Sequence, residues 1–455
     1  MSNREGFAGR LGFLFLSAGC AIGLGNIWRF PFICGQYGGG IFLCAYIFFL
    51  FAMGLPVLIM EYSVGRAARL NMGRAMHALE PAGSKWHLWG MSSILGNYCL
   101  MMFYMPVAGW MLAYFWYTLS GKMAASASDV PGVFGGLLAD PLQLVFWTVL
   151  TSATAFIVCS SSLQKGAERI VKYMMAGLLL IMIGLAGYAV TLPGAAEGLK
   201  FYLVPDIQRA LDAGVLSMLN EAMNQAFFTL SVGIGSMCIF GSYMDRKYTI
   251  TKEAYCVVGF DTFAALFSGL IIFSVCFAFG VKPDAGPGLI FVTMPNVFNT
   301  MPGGRFIGTL FFVFMSAAAV STVIAVVENI VSYFIDVYGW SRKKSALVNG
   351  IVLTVLTLPC IFGFNIWSGF QPFGEGSCVL DLEDFILSNN FLPLGGLLFC
   401  LFCCHRFGWG WDNFTREADS GEGAKFPKFL RFYLQWIMPA IFLIIFAEGY
   451  VRKFF

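Results

Sequence analysis

Charged residues are scarce in this chain, and histidine is scarcer still. Only 12% of the 455 residues are Asp, Glu, Lys or Arg, and only three are His. A soluble globule of this length needs a more charged surface, whereas 58% hydrophobic content is typical of a polytopic α-helical protein embedded in a lipid bilayer. No nucleic-acid partner is expected.

The few histidines argue against metal and hydrolytic chemistry. His77, His87 and His405 all fall at the predicted cytoplasmic edge, and no nucleophile is paired with a base. An enzyme is therefore not expected. The 13 cysteines, apart from Cys378, lie in or against apolar segments and predict no disulfide scaffold. The Cys-x-x-Cys-Cys-His run at 400–405 ends an apolar segment, which favours helix packing over a metal site.

Long apolar runs predict eleven membrane spans. They lie near residues 11–36, 40–66, 88–120, 142–161, 168–191, 216–243, 254–281, 306–338, 346–364, 383–406 and 430–452. The first run is too long for a signal peptide and has no small-residue cleavage site, so we expect it to be retained.

Lysine and arginine predict the orientation. With a cytoplasmic N-terminus, 20 of the 28 fall on the inner side, seven fall outside and Arg29 falls within the membrane. Basic residues concentrate on the cytoplasmic side of membrane proteins. An odd number of spans then places the C-terminus on the extracytoplasmic side.

Glycine interrupts the first span, where a plain helix would be aliphatic. Residues 17–26 read Ser-Ala-Gly-Cys-Ala-Ile-Gly-Leu-Gly-Asn, and Arg29 follows. Glycine costs a helix interior about 1 kcal/mol, and broken backbone at membrane depth persists only where protein or water replaces lipid. The pattern favours an unwound helix whose carbonyls hold a cation and whose amides face an anion. A glycine-rich face for close helix packing is the alternative.

A second interruption occurs in the sixth span. Gly233-Ile-Gly235 repeats the pattern of Gly23-Leu-Gly25 at a distance of 210 residues, each in the first span of a possible five-helix half. Paired interruptions of this kind indicate the binding site of a transporter. Neither follows a strand, which excludes a dinucleotide-binding turn.

Two outward loops are long. Residues 192–215 are interpreted as an ordinary extracellular connection. Residues 282–305 are too short and too rich in Gly and Pro to span, and they predict a pair of short helices that fold back as an external lid. An ordinary surface loop is the alternative.

Ionisable side chains inside predicted spans are candidates for function, because placing them in lipid is costly. They are Arg29, Glu61, Glu221, Asp261, Glu328, Asp336 and Asp384. Glu61 and Glu328 could equally hold helices together through buried hydrogen bonds. Asn26, Thr229 and the pair Ser321-Thr322 add oxygen donors, the ligands that hard cations prefer, although lone hydroxyls in helices usually bond to their own backbone.

These motifs resemble the neurotransmitter:sodium symporter family, specifically its bacterial eleven-helix amino-acid transporters. The resemblance covers nearly the whole chain and is carried by residues 23–31, 38–40, 56–66, 104–110, 227–231, 286–289 and 381–385. It implies an all-α, five-plus-five inverted-repeat fold with 11 transmembrane helices, of which helices 1 and 6 are broken. The repeats would be 1–191 and 216–406, joined by 192–215, with the lid 282–305 in the second repeat and a cytoplasmic loop and last helix in 407–455. The implied location is the plasma membrane of a prokaryote.

The resemblance also implies two sodium ions. The first would be held by the carbonyl of Ala21, the substrate carboxylate and the side chains of Asn26, Thr229 and Asp261. The second would be held by the carbonyls of Gly19, Ile22 and Ala318 and the hydroxyls of Ser321 and Thr322. Chloride-dependent members carry Asn where this chain has Asp261 and Ser where it has Ala265. A fixed carboxylate therefore predicts chloride independence.

The implied substrate is an amino acid. Amine-transporting relatives have Asp where this chain has Gly23, and its absence leaves room for a substrate carboxylate at the amides of Leu24 and Gly25. The ammonium group would face the carbonyls of Ala21, Phe228 and Thr229 with Ser231. The side-chain pocket would comprise Leu100, Tyr104, Phe228, Ile234, Thr322 and Val326. Because none of these is charged, we expect a neutral, hydrophobic or aromatic L-amino acid.

Two gates complete the implied site. The outer gate would pair Arg29 with Asp384, near Gln225 and Phe228, and the inner gate would pair Arg4 with Asp336, near Tyr243. The predicted function is sodium-coupled import by alternating access. Two alternatives remain, a sensor that binds substrate without cycling and an ion channel, although paired gates argue against a continuous pore. The oligomeric state is left open.

Overall fold

A computed structural model describes residues 5–126, 129–280 and 288–454, apart from the side chain of residue 452. Within these ranges the chain is helical, and its only strand-type pairings are two isolated bridges. Arg4, predicted at the inner gate, lies outside the described residues, as does the beginning of the predicted lid.

The helices of the described ranges follow one another with short connections. In chain order they are α1 (Arg10–Ala21), α2 (Gly25–Gln36), α3 (Gly40–Ala68), α4 (Met72–Leu79), α5 (Trp86–Ser120), α6 (Lys122–Ala125), α7 (Val130–Ala139), α8 (Pro141–Ser160), α9 (Ala167–Ala189), α10 (Ala195–Leu203), α11 (Ile207–Ala213), α12 (Val215–Leu230), α13 (Cys238–Tyr243), α14 (Ile250–Ala278), α15 (Met294–Thr300), α16 (Gly304–Tyr338), α17 (Arg342–Gly363), α18 (Val379–Cys404), α19 (Trp411–Ala418) and α20 (Lys428–Val451).

Nine helices in the described part of the chain are long and apolar enough to cross a membrane, and α1 with α2 makes a tenth if the bent pair is one span. The nine are α3, α5, α8, α9, α14, α16, α17, α18 and α20. The predicted sixth span consists of α12 and α13, which have 16 and 6 residues. The count of eleven therefore depends on taking these two helices as one span.

Polar residues cap several helices where they begin. Asp140 accepts hydrogen bonds from the backbone amides of Leu142 and Gln143 at the start of α8. Thr249 caps α14 and Ser341 caps α17 in the same way. Such caps satisfy amide groups that have no partner within the helix, and each typically stabilises a helix by about 1 kcal/mol.

The first predicted interruption coincides with a break in the helix. α1 ends at Ala21, α2 begins at Gly25, and their axes differ by 50°. In the sixth span, α12 ends at Leu230 and α13 begins at Cys238. Gly233 adopts a φ of +99°, a conformation that side chains disfavour. Both interruptions therefore occur where the glycines are.

Glu61 of α3 stabilises the unwound part of the sixth span. Its carboxylate accepts hydrogen bonds from the backbone amides of Gly233, at 2.6 Å, and Met237, at 3.1 Å. On the other side, the Asn97 amide of α5 donates to the carbonyl of Ile234 at 3.0 Å. Buried peptide groups need such partners, so the buried hydrogen-bonding role weighed for Glu61 is what the structure shows.

The breaks lie beside the most buried helices. The most apolar stretches of α5 and α16 are 78% and 83% buried within the protein, whereas that of α20 is only 22% buried. α5 and α16 therefore form the centre of the bundle, and α20 lies at its periphery.

The outward connections contain more helix than expected. Residues 192–215 include α10 and α11. In the predicted lid, residues 282–287 lie outside the described residues, and residues 289–300 form a π-helical turn, Leu289–Thr293, that continues into α15. The described part of the lid thus contains one helical stretch before α16, and the pair of helices stays a prediction. Phe291 anchors it through ring contacts with Trp110 and Tyr114.

Candidate functional site

The two breaks meet at a small cavity between α5, α16 and α18. Its lining consists of Cys20, Ala21, Gly23, Gly25, Leu100, Tyr104, Phe228, Ser231, Ile234, Thr322, Leu387 and Leu392. Nine of the twelve predicted substrate residues are among them, and Leu24, Thr229 and Val326 are not. Cys20, Leu387 and Leu392 were not predicted from the sequence. The cavity measures about 10 Å³, so its lining must separate to admit an amino acid.

Tyr104 brings the first break into contact with α5. Its hydroxyl accepts a hydrogen bond of 2.8 Å from the backbone amide of Leu24. A Cβ atom at Gly23 would overlap the hydroxyl oxygens of Tyr104 and Thr322. Position 23 is therefore restricted to glycine by close approach. The result is a backbone amide beside a hydroxyl, an arrangement that suits a carboxylate.

A buried oxygen cluster lies behind the first break. Asp261 accepts hydrogen bonds from Asn26 Nδ2 at 2.9 Å, from the Thr229 hydroxyl at 2.8 Å and from the Tyr46 hydroxyl at 3.0 Å. The Thr229 hydroxyl also lies 2.7 Å from Asn26 Oδ1. Three predicted ligands of the first sodium ion thus meet in the fold. At most 1% of any of these four residues is exposed, so a carboxylate is held in a buried, oxygen-lined site.

A second oxygen cluster joins α1 to α16. The Thr322 hydroxyl lies 3.0 Å from the carbonyl oxygen of Gly19 and 3.3 Å from that of Ala318. The Ser321 hydroxyl donates to the carbonyl of Ala318 at 2.9 Å. The structure therefore brings together four of the five residues predicted to hold the second sodium ion. The fifth, Ile22, directly follows α1.

Three of the residues predicted at the outer gate, Arg29, Phe228 and Asp384, line a vestibule of about 400 Å³ next to the cavity. Arg29 and Asp384 both line it, but the nearest ion pair of Arg29 is with Glu221, at 4.0 Å. The Arg29 guanidinium lies 4.7 Å from the ring centre of Phe228. Phe228 lines both the vestibule and the cavity, so this stacked pair separates the two spaces. Gln225 donates to the carbonyl of Gly25 at 2.7 Å.

A largely buried network lies at the predicted inner side. The Tyr243 hydroxyl donates to Glu328 at 2.8 Å, and Arg342 forms an ion pair with Glu328 at 2.7 Å. Asp336 accepts a hydrogen bond from the backbone amide of Asn71 at 2.6 Å. Glu328 thus has the buried hydrogen-bonding role weighed from the sequence. Its partner Arg342 was counted only as a basic loop residue.

Several residues of the site carried no distinctive signal. Tyr46 and Asn97 are single polar residues in apolar helices, where lone polar side chains are common. Glu221 was predicted only as an acidic residue within a span. Its position next to Arg29 results from helix packing, which no local sequence pattern predicts.

Comparison with known proteins defines the class of this site. Residues 4–130 and 139–453 match the family described as the Sodium:neurotransmitter symporter family, and the chain belongs to this family. A sodium-dependent transporter of Bacillus subtilis, described as uncharacterized, is 32% identical over 449 residues, covering 97% of each chain. The sodium- and chloride-dependent taurine transporter of Canis lupus familiaris is 27% identical over 501 residues, covering 99% of this chain and 78% of that one.

A solved structure agrees with the fold. The crystal structure of MhsT in complex with L-phenylalanine is similar with a TM-score of 0.89 and 34% sequence identity, covering 98% of this chain and 100% of that chain. The resemblance inferred from the motifs and the all-α transporter fold are thereby confirmed. The protein is a multi-pass, sodium-dependent symporter and not an enzyme, because its family consists of symporters.

Proposed function

We propose that the protein imports a neutral, hydrophobic or aromatic L-amino acid together with sodium, by alternating access. The observation that carries this proposal is the meeting of Asn26, Thr229 and Asp261 in a buried oxygen cluster behind the broken first span. A carboxylate buried in a membrane protein needs a compensating cation or proton. Sodium ligated by these oxygens supplies that compensation, and the substrate carboxylate completes the shell.

The second sodium ion is assigned to the carbonyls of Gly19, Ile22 and Ala318 with the hydroxyls of Ser321 and Thr322. This cluster connects α1, next to the break, with the continuous helix α16. An ion there would tie a movable half-helix to the centre of the bundle. Its release would free α1 to move, which gives sodium a direct role in the conformational cycle.

The lining of the cavity supports the substrate class. None of its twelve residues is charged, and Leu100, Phe228, Ile234 and Leu387 present apolar surface. An ionic substrate side chain would be left without a partner in this lining, at a cost of several kcal/mol. The L-phenylalanine complex of MhsT, which has 34% sequence identity, is consistent with a neutral aromatic substrate.

The gates suit a cycle driven by sodium. Arg29 and Asp384 face one vestibule without forming an ion pair, so closing the outer gate requires them to approach each other. Such contacts need differ by only a few kcal/mol between states. Each positive charge that enters across 100 mV supplies about 2.3 kcal/mol, to which the sodium concentration gradient adds.

Chloride independence is part of the proposal. The Asp261 carboxylate places a fixed negative charge at the first sodium site, which is the charge that chloride supplies in relatives with Asn there. We also propose the plasma membrane of a prokaryote as the location, with a cytoplasmic N-terminus and an extracytoplasmic C-terminus, from the distribution of Lys and Arg.

Uptake into proteoliposomes tests the proposal. An inward sodium gradient should drive accumulation of labelled L-phenylalanine or L-leucine above the external concentration, with or without chloride. Collapsing the gradient with a sodium ionophore should abolish accumulation. Binding without accumulation would indicate a sensor, sodium current without substrate would indicate a channel, and either result would overturn the proposal.

A further inference from the structure

Two of the three histidines converge on one carboxylate, far from the transport site. Nδ1 of His77, at the end of α4, lies 2.6 Å from Oε1 of Glu80, and Nδ1 of His87, in the first turn of α5, lies 2.7 Å from the same oxygen. The three ligand atoms all lie within 4.8 Å of one another. The turn at 80–85 reverses the chain and brings the two rings within 5.2 Å.

The carboxylate is fixed by its second oxygen. Oε2 of Glu80 accepts hydrogen bonds of 3.1 Å from the Ser84 hydroxyl and from the backbone amide of His87. Oε1 is thereby aimed at the two imidazoles.

We propose that His77 Nδ1, Glu80 Oε1 and His87 Nδ1 form a binding site for a divalent transition-metal cation of the Zn²⁺ type. Two imidazole nitrogens and one carboxylate oxygen are a set that Zn²⁺ favours, with water as a fourth ligand. Ca²⁺ and Mg²⁺ prefer all-oxygen shells, which this site does not offer. Copper and nickel also accept imidazole, so the proposal is for the class of cation.

The geometry requires a small adjustment on binding. Bonds of about 2.0–2.2 Å in a tetrahedral shell place ligand atoms about 3.3–3.6 Å apart. The carboxylate oxygen must therefore move back from the two nitrogens by roughly 1 Å or less. His77 has the freedom to adjust, because its side chain is 68% exposed, and His87 is 31% exposed.

A bound cation would cross-link α4 to α5, and α4 is connected to the transport machinery. At its start, the Asn71 backbone amide donates to the inner-gate residue Asp336 at 2.6 Å, and the Asn71 side chain donates to Asn329 of α16 at 2.7 Å. Met72 packs against Gly235 in the unwound part of the sixth span. A metal that fixes the other end of α4 is therefore expected to slow the inner gate.

Metal titration of the purified, untagged protein tests the site. Calorimetry with Zn²⁺ and Ni²⁺ should give one site per chain in the wild type, and His77→Asn or His87→Asn should weaken binding at least about tenfold, since a ligand contributes at least as much as an outer partner. His405→Asn is the matched control and should change nothing, because its Nε2 contacts the carbonyl of Gln435 elsewhere. Metal binding by exposed cysteine is measured by titrating the double variant His77→Asn/His87→Asn, which keeps all the cysteines and lacks both histidine ligands.

Equal affinity in the wild type and the double variant would overturn the proposal. Retained amino-acid binding by each variant shows that it is folded. A Co²⁺ visible spectrum gives a second measurement, with intense tetrahedral bands expected in the wild type and absent in the double variant.

The transport consequence rests on the proposed function and is measured separately. In proteoliposomes, Zn²⁺ applied on the side of the α4–α5 turn should lower initial uptake at least twofold in the wild type and in His405→Asn, and EDTA should restore it. The double variant should be insensitive. Metal binding without any effect on uptake would overturn the link to the inner gate but not the metal site itself. If none of the proteins took up amino acid even without metal, that result would count against the proposed function instead.

Discussion

Oδ1 of Asp261 accepts a 2.9 Å hydrogen bond from Nδ2 of Asn26, joining two spans that are 235 positions apart in the chain. This contact fixes a negative charge next to the broken first span. Asp261→Asn keeps the shape of the side chain and removes the charge. We expect uptake by this variant to fall about tenfold or more in chloride-free buffer, since hydrogen bonds and contacts to a charged group contribute about 1.5–3 kcal/mol. Chloride should restore part of the activity.

The measurement is initial uptake in gluconate and in chloride buffers. Asp212→Asn, an exposed position in the α11 region, is the matched control and should resemble the wild type. Normal chloride-free transport by Asp261→Asn would contradict the role of the fixed charge.

The second oxygen cluster predicts a change in sodium affinity. Thr322→Ala removes the hydroxyl that lies 3.0 Å from the carbonyl of Gly19. We expect the half-saturating sodium concentration for uptake to rise about tenfold, which corresponds to about 1.4 kcal/mol. Ser316→Ala is the control, because its hydroxyl lies in the same helix and has no hydrogen-bond partner within the described residues. An unchanged sodium dependence in Thr322→Ala would argue against ligation there.

The close packing around Gly23 predicts that no larger residue is tolerated at this position. A Cβ in Gly23→Ala would overlap the hydroxyl oxygens of Tyr104 and Thr322, at the place proposed for the substrate carboxylate. We expect substrate affinity to fall by at least about a hundredfold, since overpacking typically costs 1–3 kcal/mol and the carboxylate also loses its contacts. Gly177→Ala in α9 has no atom within 4 Å of the added Cβ and should bind normally. Radioligand binding to both variants distinguishes a local effect from a loss of folding.

The outer gate predicts unequal roles for two acids. Glu221 lies 4.0 Å from Arg29 in a partly exposed pair, and such pairs contribute about 0–1 kcal/mol. Glu221→Gln should therefore change the maximal uptake rate less than about threefold. Asp384→Asn should lower it more than about tenfold, because closure is proposed to bring Asp384 to Arg29. Equal effects of the two variants on the rate would contradict the assignment of Asp384 as the partner of Arg29 in the closed gate.

The sequence alone predicts those features of the fold that depend on residues close together in the chain. The breaks at Gly23 and Gly233 follow from glycine in apolar runs, and every predicted span boundary lies within four residues of a helix end. The contact between Asn26 and Asp261 was predicted from the family resemblance, because the hydrophobic periodicity of the sequence does not show which helices are neighbours. Tyr46 was missed for the same reason.

Chain reversal accounts for a side-chain cluster that the sequence did not predict. The sequence pattern places His77 and His87 at one edge of the membrane, and this position was interpreted as evidence against metal chemistry. Their separation of ten residues hides the turn at 80–85 that brings both to Glu80.

Equilibrium binding tests the central claim most directly, because an amino acid and sodium are proposed to share ligands at the breaks. Substrate affinity of the purified protein should rise steeply with sodium, and sodium affinity should rise by the same factor with substrate, as linkage requires. Potassium or choline should not replace sodium. An amino-acid affinity that is the same in sodium and in choline would contradict the account.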